Sequence, residues 1–378
     1  MFKKTIKTIV VIIAGLIALA YAFNMDYLFK GIRETYLRGE LSATIDDGAY
    51  FSSHAIVKGN PIFWEKDSLY NQKKLSKILE DNLVQTKTAA FVIIKKGKIL
   101  HEQYWDSYTA KSATNSFSMA KTINVMLLGK AIDDGKIKSL DQKYSDFYQN
   151  YEKVPFGENL TLRNLASMEA GLNWDENYKN PFKPNANLYY GKSLAEAVFL
   201  RGLNKNPGTK FEYQSGASQL LGFAIRKAVN QPLASYLSQK FWKPLGMEHN
   251  ATWSTDDNGM EKTFCCVHSN ARDFAKLGYL LLNKGKFRNL QLINPHFVEQ
   301  MITPTKNSGE TYGLGIWINN DNPIKHYFFW GLQGQYIIVV PELDMVIVRT
   351  GSYKDQPKND RGRPDQVKFL VNEIAKNF

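Results

Sequence analysis

The chain has 378 residues, 44% of them hydrophobic and 13% aromatic, a composition typical of a folded protein with a large core. Its formal net charge is +12, but the basic residues are scattered and no basic run alternates with aromatic residues. Nucleic-acid binding is therefore not indicated. A basic surface is compatible with contact to anionic lipid or cell-envelope polymer.

The N-terminus has the features of an export segment. Three lysines within the first seven residues precede 18 uncharged, mainly apolar residues, 8–25. This length lies between the core of a signal peptide and a membrane span. An Ala-Tyr-Ala sequence at 20–22 favours cleavage as a signal peptide, whereas the apolar run that continues through Phe23 favours an uncleaved anchor. We expect the anchor, with the lysines inside and the rest of the chain exported.

Residues 26–88 predict an N-terminal extension that packs on the main domain. Within it, residues 27–38 indicate a short amphipathic helix that leads away from the membrane, and residues 75–83 indicate a second helix. Residues 88–105 then alternate as a β-hairpin, with strands at 90–94 and 99–105 around a Lys-Gly-Lys turn.

Ser118 and Lys121 form the first candidate site, in the sequence Asn-Ser-Phe-Ser-Met-Ala-Lys-Thr at 115–122. An apolar, helical run follows, and on a helix this spacing places both side chains on one face. Serine needs a neighbouring base to act as a nucleophile, and a buried lysine can lose its proton near neutral pH. The helix N-terminus suits a developing oxyanion. The alternative is a serine N-cap beside an ordinary surface lysine.

Tyr213 and Ser215 lie in a second polar stretch, residues 206–216, within a mainly helical region that extends from 118 to about 301. A phenol beside a lysine ammonium would have a lowered pKa and relay protons to a leaving group, and Ser215 would hydrogen-bond the lysine or the substrate. The alternative is an ordinary turn and N-cap. Tyr148 and Tyr178 begin similar Tyr-x-Asn sequences, so spacing alone leaves all three tyrosines open.

The adjacent cysteines, Cys265 and Cys266, predict two small buried side chains. A bond between neighbours would be strained, and two cysteines do not make a disulfide framework. A metal site would need more thiols or histidines nearby.

Strand signals return near the C-terminus, at residues 312–318, 327–330, 336–340 and 345–350, before a closing helix at 365–378. Strands at both ends with helices between them predict an α+β fold of two lobes. We expect the terminal strands to meet in one antiparallel sheet flanked by helices, and the central region to form a helical lobe with Ser118 at the junction.

Together, the Ser118-x-x-Lys121 motif and the stretch from Pro207 to Gly216 resemble the serine hydrolases of the β-lactamase/penicillin-binding superfamily, in its class C-like branch. Residues 160–172, 241–247 and 271–278 also resemble segments of that branch. The resemblance covers residue 89 to the C-terminus. It implies a β-lactamase/transpeptidase-like domain at 89–378, after an anchor or signal peptide at 1–25 and the extension at 26–88. It also implies that Ser118, Lys121 and Tyr213 are catalytic.

Within the superfamily, the sequence is most similar to the 6-aminohexanoate-oligomer (nylon oligomer) hydrolases. Residues 175–181, Asp-Glu-Asn-Tyr-Lys-Asn-Pro, resemble a loop of that group that carries a substrate-contacting tyrosine. The resemblance makes Tyr178 a candidate proton donor or substrate clamp. The alternative is an aromatic side chain that packs the loop.

The third motif of the superfamily departs from its usual form. Relatives with β-lactamase activity have Lys-Thr-Gly, or His for Lys, on the strand beside the serine. Here residues 326–336 read His-Tyr-Phe-Phe-Trp-Gly-Leu-Gln-Gly-Gln-Tyr, with no lysine before the glycines. This puts β-lactam and D-Ala-D-Ala substrates in doubt, since both carry a carboxylate. His326 would substitute only if its register allowed, and an ordinary histidine at a strand start is the alternative. Trp330, Gly331 and Gln333 are candidate substrate-binding residues.

The expected reaction is acyl transfer to Ser118 from an ester or amide, with Lys121 as base and Tyr213 as proton relay. Backbone N–H groups of Ser118 and the 326–336 strand would hold the oxyanion. No metal or cofactor is needed. We expect a small-molecule or cell-envelope substrate, at the outer face of a bacterial inner membrane or, after cleavage, in the periplasm or medium. The alternatives are a β-lactamase or DD-peptidase, an inert ligand-binding module on this fold, and a membrane-tethered structural protein.

Overall fold

The computed structural model describes residues 2–378; Met1 and the side chain of Lys3, one of the three N-terminal lysines, lie outside it. The twelve α-helices of the described residues are α1 (Phe2–Ala22), α2 (Tyr27–Glu34), α3 (Lys77–Gln85), α4 (Met119–Asp133), α5 (Leu162–Ala166), α6 (Pro184–Tyr190), α7 (Leu194–Phe199), α8 (Ser215–Val229), α9 (Leu233–Leu237), α10 (Ala271–Leu282), α11 (Pro295–Ile302) and α12 (Asp365–Asn377). The strands are β1 (Ser53–Ile56), β2 (Thr88–Lys95), β3 (Lys98–Tyr104), β4 (Thr114–Asn115), β5 (Ala251–Ser254), β6 (Val267–Ser269), β7 (Lys286–Phe287), β8 (Leu290–Gln291), β9 (Trp317–Asn319), β10 (His326–Gly331), β11 (Gln335–Val340) and β12 (Met345–Gly351).

The main sheet joins the two ends of the chain, as the sequence predicts. Its six strands run in the order β3-β2-β12-β11-β10-β9, and every neighbouring pair is antiparallel. The predicted hairpin corresponds to β2 and β3. The predicted strand at 312–318 is wrong in its extent, because only Trp317–Asn319 pairs as β9.

Helices cover the main sheet, so its central strands are buried along their whole length. All six residues of β11 and all seven of β12 are buried, in agreement with their apolar runs at 336–340 and 345–348. Helix α10 packs closely through Gly278. A Cβ atom there would lie 2.6 Å from Ile337 Cγ2 and 2.7 Å from Val346 Cγ1. Helices α3 and α12 also pack against this sheet.

The region between the terminal strands forms the predicted helical lobe, in which α8 packs against α4, α5, α7 and α9. A second sheet, which the sequence did not indicate, has the strand order β1-β5-β6-β4. Strand β1 comes from the N-terminal extension, and β4 ends three residues before Ser118. This sheet therefore ties the extension to the segment that carries the candidate nucleophile.

Helix α1 has the length and composition of a membrane span. The stretch Lys4–Ala22 is apolar and none of its most apolar window is buried against the rest of the protein. An apolar helix near an N-terminus is typical both of a membrane anchor and of a signal sequence.

Candidate active site

Ser118 is the N-cap of α4, and the residues before it fix its position. Phe117 has a φ of +43°, a left-handed conformation that is rare for a bulky residue. The Asn115 side chain holds it there, because its Oδ1 accepts a hydrogen bond of 2.8 Å from Phe117 N–H. Ser116 is bonded to Val267 of β6 through its N–H, at 2.8 Å, and its Oγ, at 3.0 Å. Ser118 is thus presented at the start of a buried helix by a constrained turn.

Lys121 lies one helical turn beyond Ser118, and only 2% of it is exposed. Its Nζ lies 2.9 Å from Ser118 Oγ and donates a hydrogen bond of 2.9 Å to the Phe264 carbonyl. Burial lowers the pKa of Lys121 to about 8, against an opposing effect of the Glu176 charge. A useful fraction of neutral amine therefore exists near neutral pH, as a general base requires.

Tyr213 completes the predicted trio. Its side chain lies beside Ser118 and Trp317, and the Lys121 Nζ lies 4.9 Å from its ring centroid. The prediction that its pKa is lowered is wrong. Burial and the Glu176 charge raise the pKa of Tyr213, and they outweigh the lowering effects of Ser118 and Trp317. Tyr213 is therefore a neutral phenol that can pass a proton on, and not a tyrosinate.

Aromatic side chains hold Tyr213 in place. The Trp317 ring lies 5.3 Å from it and the Tyr312 ring 6.1 Å from it, measured between centroids. Trp317 in turn contacts Trp330 at 5.0 Å. The Tyr213 hydroxyl is thus fixed by packing before any substrate arrives.

Glu176 is a site residue for which the sequence alone indicates no role. It accepts hydrogen bonds from Trp174 Nε1 at 2.7 Å, Ser215 N–H at 2.8 Å, Ser215 Oγ at 2.6 Å and the Tyr178 hydroxyl. Four donors on one carboxylate fix the loop after Gly171 to the start of α8. The signal that pointed to it was its place two residues before Tyr178 in the family-like loop.

Hydrogen bonds to Glu176 therefore bring both Tyr178 and Ser215 to the site. The Tyr178 ring is 49% exposed, while burial of its hydroxyl and the Glu176 charge hold its pKa well above the ordinary value. The Ser215 hydroxyl donates to Glu176 and not to Lys121. Substrate contacts by either residue stay predictions.

The end of β10 lies beside the nucleophile segment. A Cβ atom on Gly331 would lie 2.2 Å from the Ser116 carbonyl oxygen, so this approach requires glycine. Gln333 follows in a left-handed conformation, with φ of +60°. Its backbone carbonyl accepts a hydrogen bond of 2.9 Å from the buried Arg349. The turn that the sequence predicts to flank the substrate is thus rigidly held.

Two basic side chains near β10 are candidates to replace the lysine that the third motif lacks. His326 lies at the opposite end of β10 from Gly331, bonded to Asn319 at 2.7 Å and to the Ile324 carbonyl at 2.8 Å, and burial lowers its pKa to about 4. It is a neutral structural histidine. By contrast, the Lys358 Nζ lies 5.1 Å from the ring centroid of Trp330, next to Gly331.

Cys265 and Cys266 are buried, as predicted, but the prediction that they are unbonded is wrong. They form a disulfide between neighbouring residues. The chain turns sharply here, with Cys266 at a φ of +72°, which allows adjacent sulfurs to meet. The bond directly follows Phe264, whose carbonyl holds Lys121. Across the described residues, His, Cys, Asp and Glu do not gather in groups of three or more that would suit a metal ion.

Comparison of the sequence with known proteins identifies the family of this chain. The sequence profile described as Beta-lactamase matches residues 77–371. The 6-aminohexanoate-dimer hydrolase of Paenarthrobacter ureafaciens is 22% identical over 299 residues, covering 73% of this chain and 76% of the relative. A protein of Escherichia coli K12 provisionally named a D-alanyl-D-alanine carboxypeptidase is 23% identical over 377 residues, covering 85% and 82%.

A solved structure from Bacillus anthracis, provisionally assigned as a 6-aminohexanoate-dimer hydrolase, superposes with a TM-score of 0.69 at 22% identity. The superposition covers 87% of this chain and 91% of that one, and it establishes the same fold. Because the family profile spans most of the sequence, this chain belongs to the beta-lactamase family, whose members are serine hydrolases with the β-lactamase/penicillin-binding-protein fold.

Proposed function

We propose that this protein is an exported esterase or amidase that works through an acyl-enzyme on Ser118. The observation that carries the proposal is the 2.9 Å approach of Lys121 Nζ to Ser118 Oγ, with the Tyr213 ring centroid 4.9 Å from the same Nζ. Serine hydrolysis needs a nucleophile, a base and a proton donor, and these three side chains can supply them.

The proposed reaction has two halves. Neutral Lys121 takes the Ser118 proton as Oγ attacks the carbonyl carbon, and the Ser118 N–H with a backbone N–H at the end of β10 stabilises the oxyanion. Tyr213 gives a proton to the leaving alcohol or amine and regains one from Lys121. Water then attacks the acyl-enzyme along the reverse proton path, which frees the acid and restores Ser118.

For location, we propose that α1 stays attached as an anchor, so that the protein sits at the outer face of a bacterial inner membrane. Its unburied apolar length supports this, and the basic N-terminus favours the inside. The division at residues 25 and 88 stays a proposal, as do Trp330, Gly331 and Gln333 as substrate contacts. Intact-mass measurement of the membrane-extracted protein tests the anchor, because cleavage near residue 22 would remove α1.

The test of the reaction is covalent labelling with a fluorophosphonate probe. Wild-type protein should gain one adduct at Ser118, while Ser118→Ala should gain none and Lys121→Ala should react far more slowly. Turnover of p-nitrophenyl esters should accompany labelling. No adduct on folded wild-type protein would instead support an inert binding module or a tethered structural protein.

A second candidate function is carboxylate-directed hydrolysis, as in a β-lactamase or DD-peptidase. The Lys358 ammonium near Trp330 favours it, since it brings a cation to the strand that lacks the family lysine, and one relative is named as a D-alanyl-D-alanine carboxypeptidase. Rapid nitrocefin turnover that falls in Lys358→Ala, but not in Lys354→Ala, would select this function over the first.

A further inference from the structure

The chain that follows α1 contacts two loops that carry candidate substrate-binding residues. We name residues 23–45 the exit segment. At its start, the Tyr27 hydroxyl donates a hydrogen bond of 3.0 Å to the Pro181 carbonyl, on the loop that carries Tyr178. At its end, the Ala43 carbonyl accepts one of 2.7 Å from Gln333 Nε2. The exit segment thus contacts loops on two sides of Ser118.

Among the described residues, the outer side of the exit segment exposes several large apolar side chains. Gly31 faces inward, since a Cβ atom there would lie 3.5 Å from the Tyr190 ring, while Phe29 and Ile32 point to another face of α2. The side chains concerned form what we name the apolar rim and are 37% to 79% exposed: Phe29, Ile32, Tyr36, Leu37, Leu41 and, on the adjoining loop, Phe182. Such a concentration of exposed apolar residues marks an interaction surface.

The position of α1 indicates what lies over the apolar rim. Helix α1 ends at Ala22 and α2 begins at Tyr27, so the connection spans at most about 18 Å even when fully extended. It is also compact, because Met25 N–H bonds to the Ala20 carbonyl at 2.7 Å. If α1 crosses a membrane, α2 cannot leave the surface of that membrane.

Contacts with Lys192 place the end of α1 and the start of the exit segment beside the catalytic domain. Lys192 forms a salt bridge of 2.7 Å with Asp26, and its Nζ lies 5.7 Å from the Tyr21 ring centroid. The Tyr21 and Phe29 rings lie 5.8 Å apart.

The exit segment contains three basic and three acidic residues. Burial of apolar surface, and not charge attraction, would therefore drive its docking.

We propose that the apolar rim docks on the surface of the bilayer that holds α1, which places the mouth of the Ser118 site at the lipid headgroups. The substrate class follows: an amphiphile whose ester or amide lies at headgroup depth while its apolar chain stays in the bilayer. This substrate class rests on the proposed acyl transfer at Ser118 and on the retained anchor.

Depth measurement on the full-length protein tests the docking. The protein is reconstituted into vesicles of phosphatidylethanolamine and phosphatidylglycerol at a ratio of 3:1, with a nitroxide label at Leu37→Cys, Phe182→Cys or, as control, Ile78→Cys. Ile78 is similarly exposed, at 59%, but lies on α3 beside α12. Labels at Leu37 and Phe182 should show high oxygen and low nickel-chelate accessibility relative to Ile78. Accessibility equal to that at Ile78 would overturn the docking.

Kinetics in the same vesicles test the substrate class. The ratio of p-nitrophenyl palmitate to p-nitrophenyl acetate turnover should fall at least fivefold in the double variant Leu37→Ser/Leu41→Ser and stay unchanged in Ile78→Ser. An unchanged ratio in the double variant would overturn the membrane-amphiphile assignment. Failure of Ser118 to label would overturn the proposed function and the substrate class together, while the nitroxide depths would still decide the docking.

Discussion

The Nζ atom of Lys121, a side chain that is only 2% exposed, lies 2.9 Å from the Oγ atom of Ser118. Burial lowers the pKa of Lys121 to about 8, so about a tenth of the molecules carry the neutral amine at pH 7. Because the neutral form is the base, kcat/KM for an ester should rise about tenfold between pH 7 and pH 9, with an apparent pKa near 8.

A second buried lysine provides the control for this profile. Burial lowers the pKa of Lys262 to about 7, and its Nζ donates to the Tyr189 carbonyl at 2.7 Å, away from Ser118. The rise near pH 8 should persist in Lys262→Met and vanish in Lys121→Met. If the pH profile of kcat/KM changed in Lys262→Met and not in Lys121→Met, the base would be Lys262, and the mechanism would be contradicted.

Removal of the Tyr213 hydroxyl should slow acylation with little change in folding. Proton transfer by a positioned group contributes about 10²- to 10⁴-fold, so Tyr213→Phe should lower kcat by at least about a hundredfold. Tyr312→Phe is the matched control, because its ring is buried and lies 6.1 Å from that of Tyr213. Thermal unfolding checks both variants, and equal losses of activity would reduce Tyr213 to a packing role.

The parts that the sequence predicted are those encoded locally. Ser118 and Lys121 are three residues apart on a helix, and the Pro-Gly turn before Tyr213 fixes a loop. Short sequence motifs were therefore sufficient to predict these three site residues. The central strands of the main sheet were equally predictable from the sequence, because their apolar runs are bounded by turns. Each of these features depends on residues that are close in sequence or on a strong family pattern.

The parts that the sequence missed depend on distant contacts. Glu176 acquires its role from Ser215, 39 positions later, and no spacing rule links them. The raised pKa of Tyr213 follows from burial, which spacing does not report. Strand β1 pairs with β5 some 200 residues away, for which its own four residues give no signal.

Neutralising Glu176 should shift the pH profile to lower pH. Its charge raises the pKa of Lys121, so Glu176→Gln should leave Lys121 with a lower pKa and move the rise in kcat/KM below pH 8. An amide cannot accept all four hydrogen bonds, so unfolding should also become easier by about 1–3 kcal/mol.

Glu212 is the matched control, since this nearby carboxylate pairs with Lys205 at 2.6 Å and Lys210 at 2.9 Å and not with the site. Glu212→Gln should leave the pH profile unchanged. A Glu176→Gln profile that coincides with wild type would show that Glu176 acts only by holding the loop, and would contradict its electrostatic role.

The bond between Cys265 and Cys266 predicts a distinctive chemical behaviour and a modest effect on the site. Denatured protein should take up two alkyl groups only after treatment with a reductant, and uptake without reductant would contradict the disulfide. The Phe264 carbonyl next to it holds Lys121, and one such hydrogen bond is worth about 1 kcal/mol. Cys265→Ser/Cys266→Ser should therefore slow fluorophosphonate labelling by up to about fivefold, because Lys121 is held less firmly against Ser118. Ser269→Ala, at a buried position on β6 in the same segment, is the control and should label at the wild-type rate.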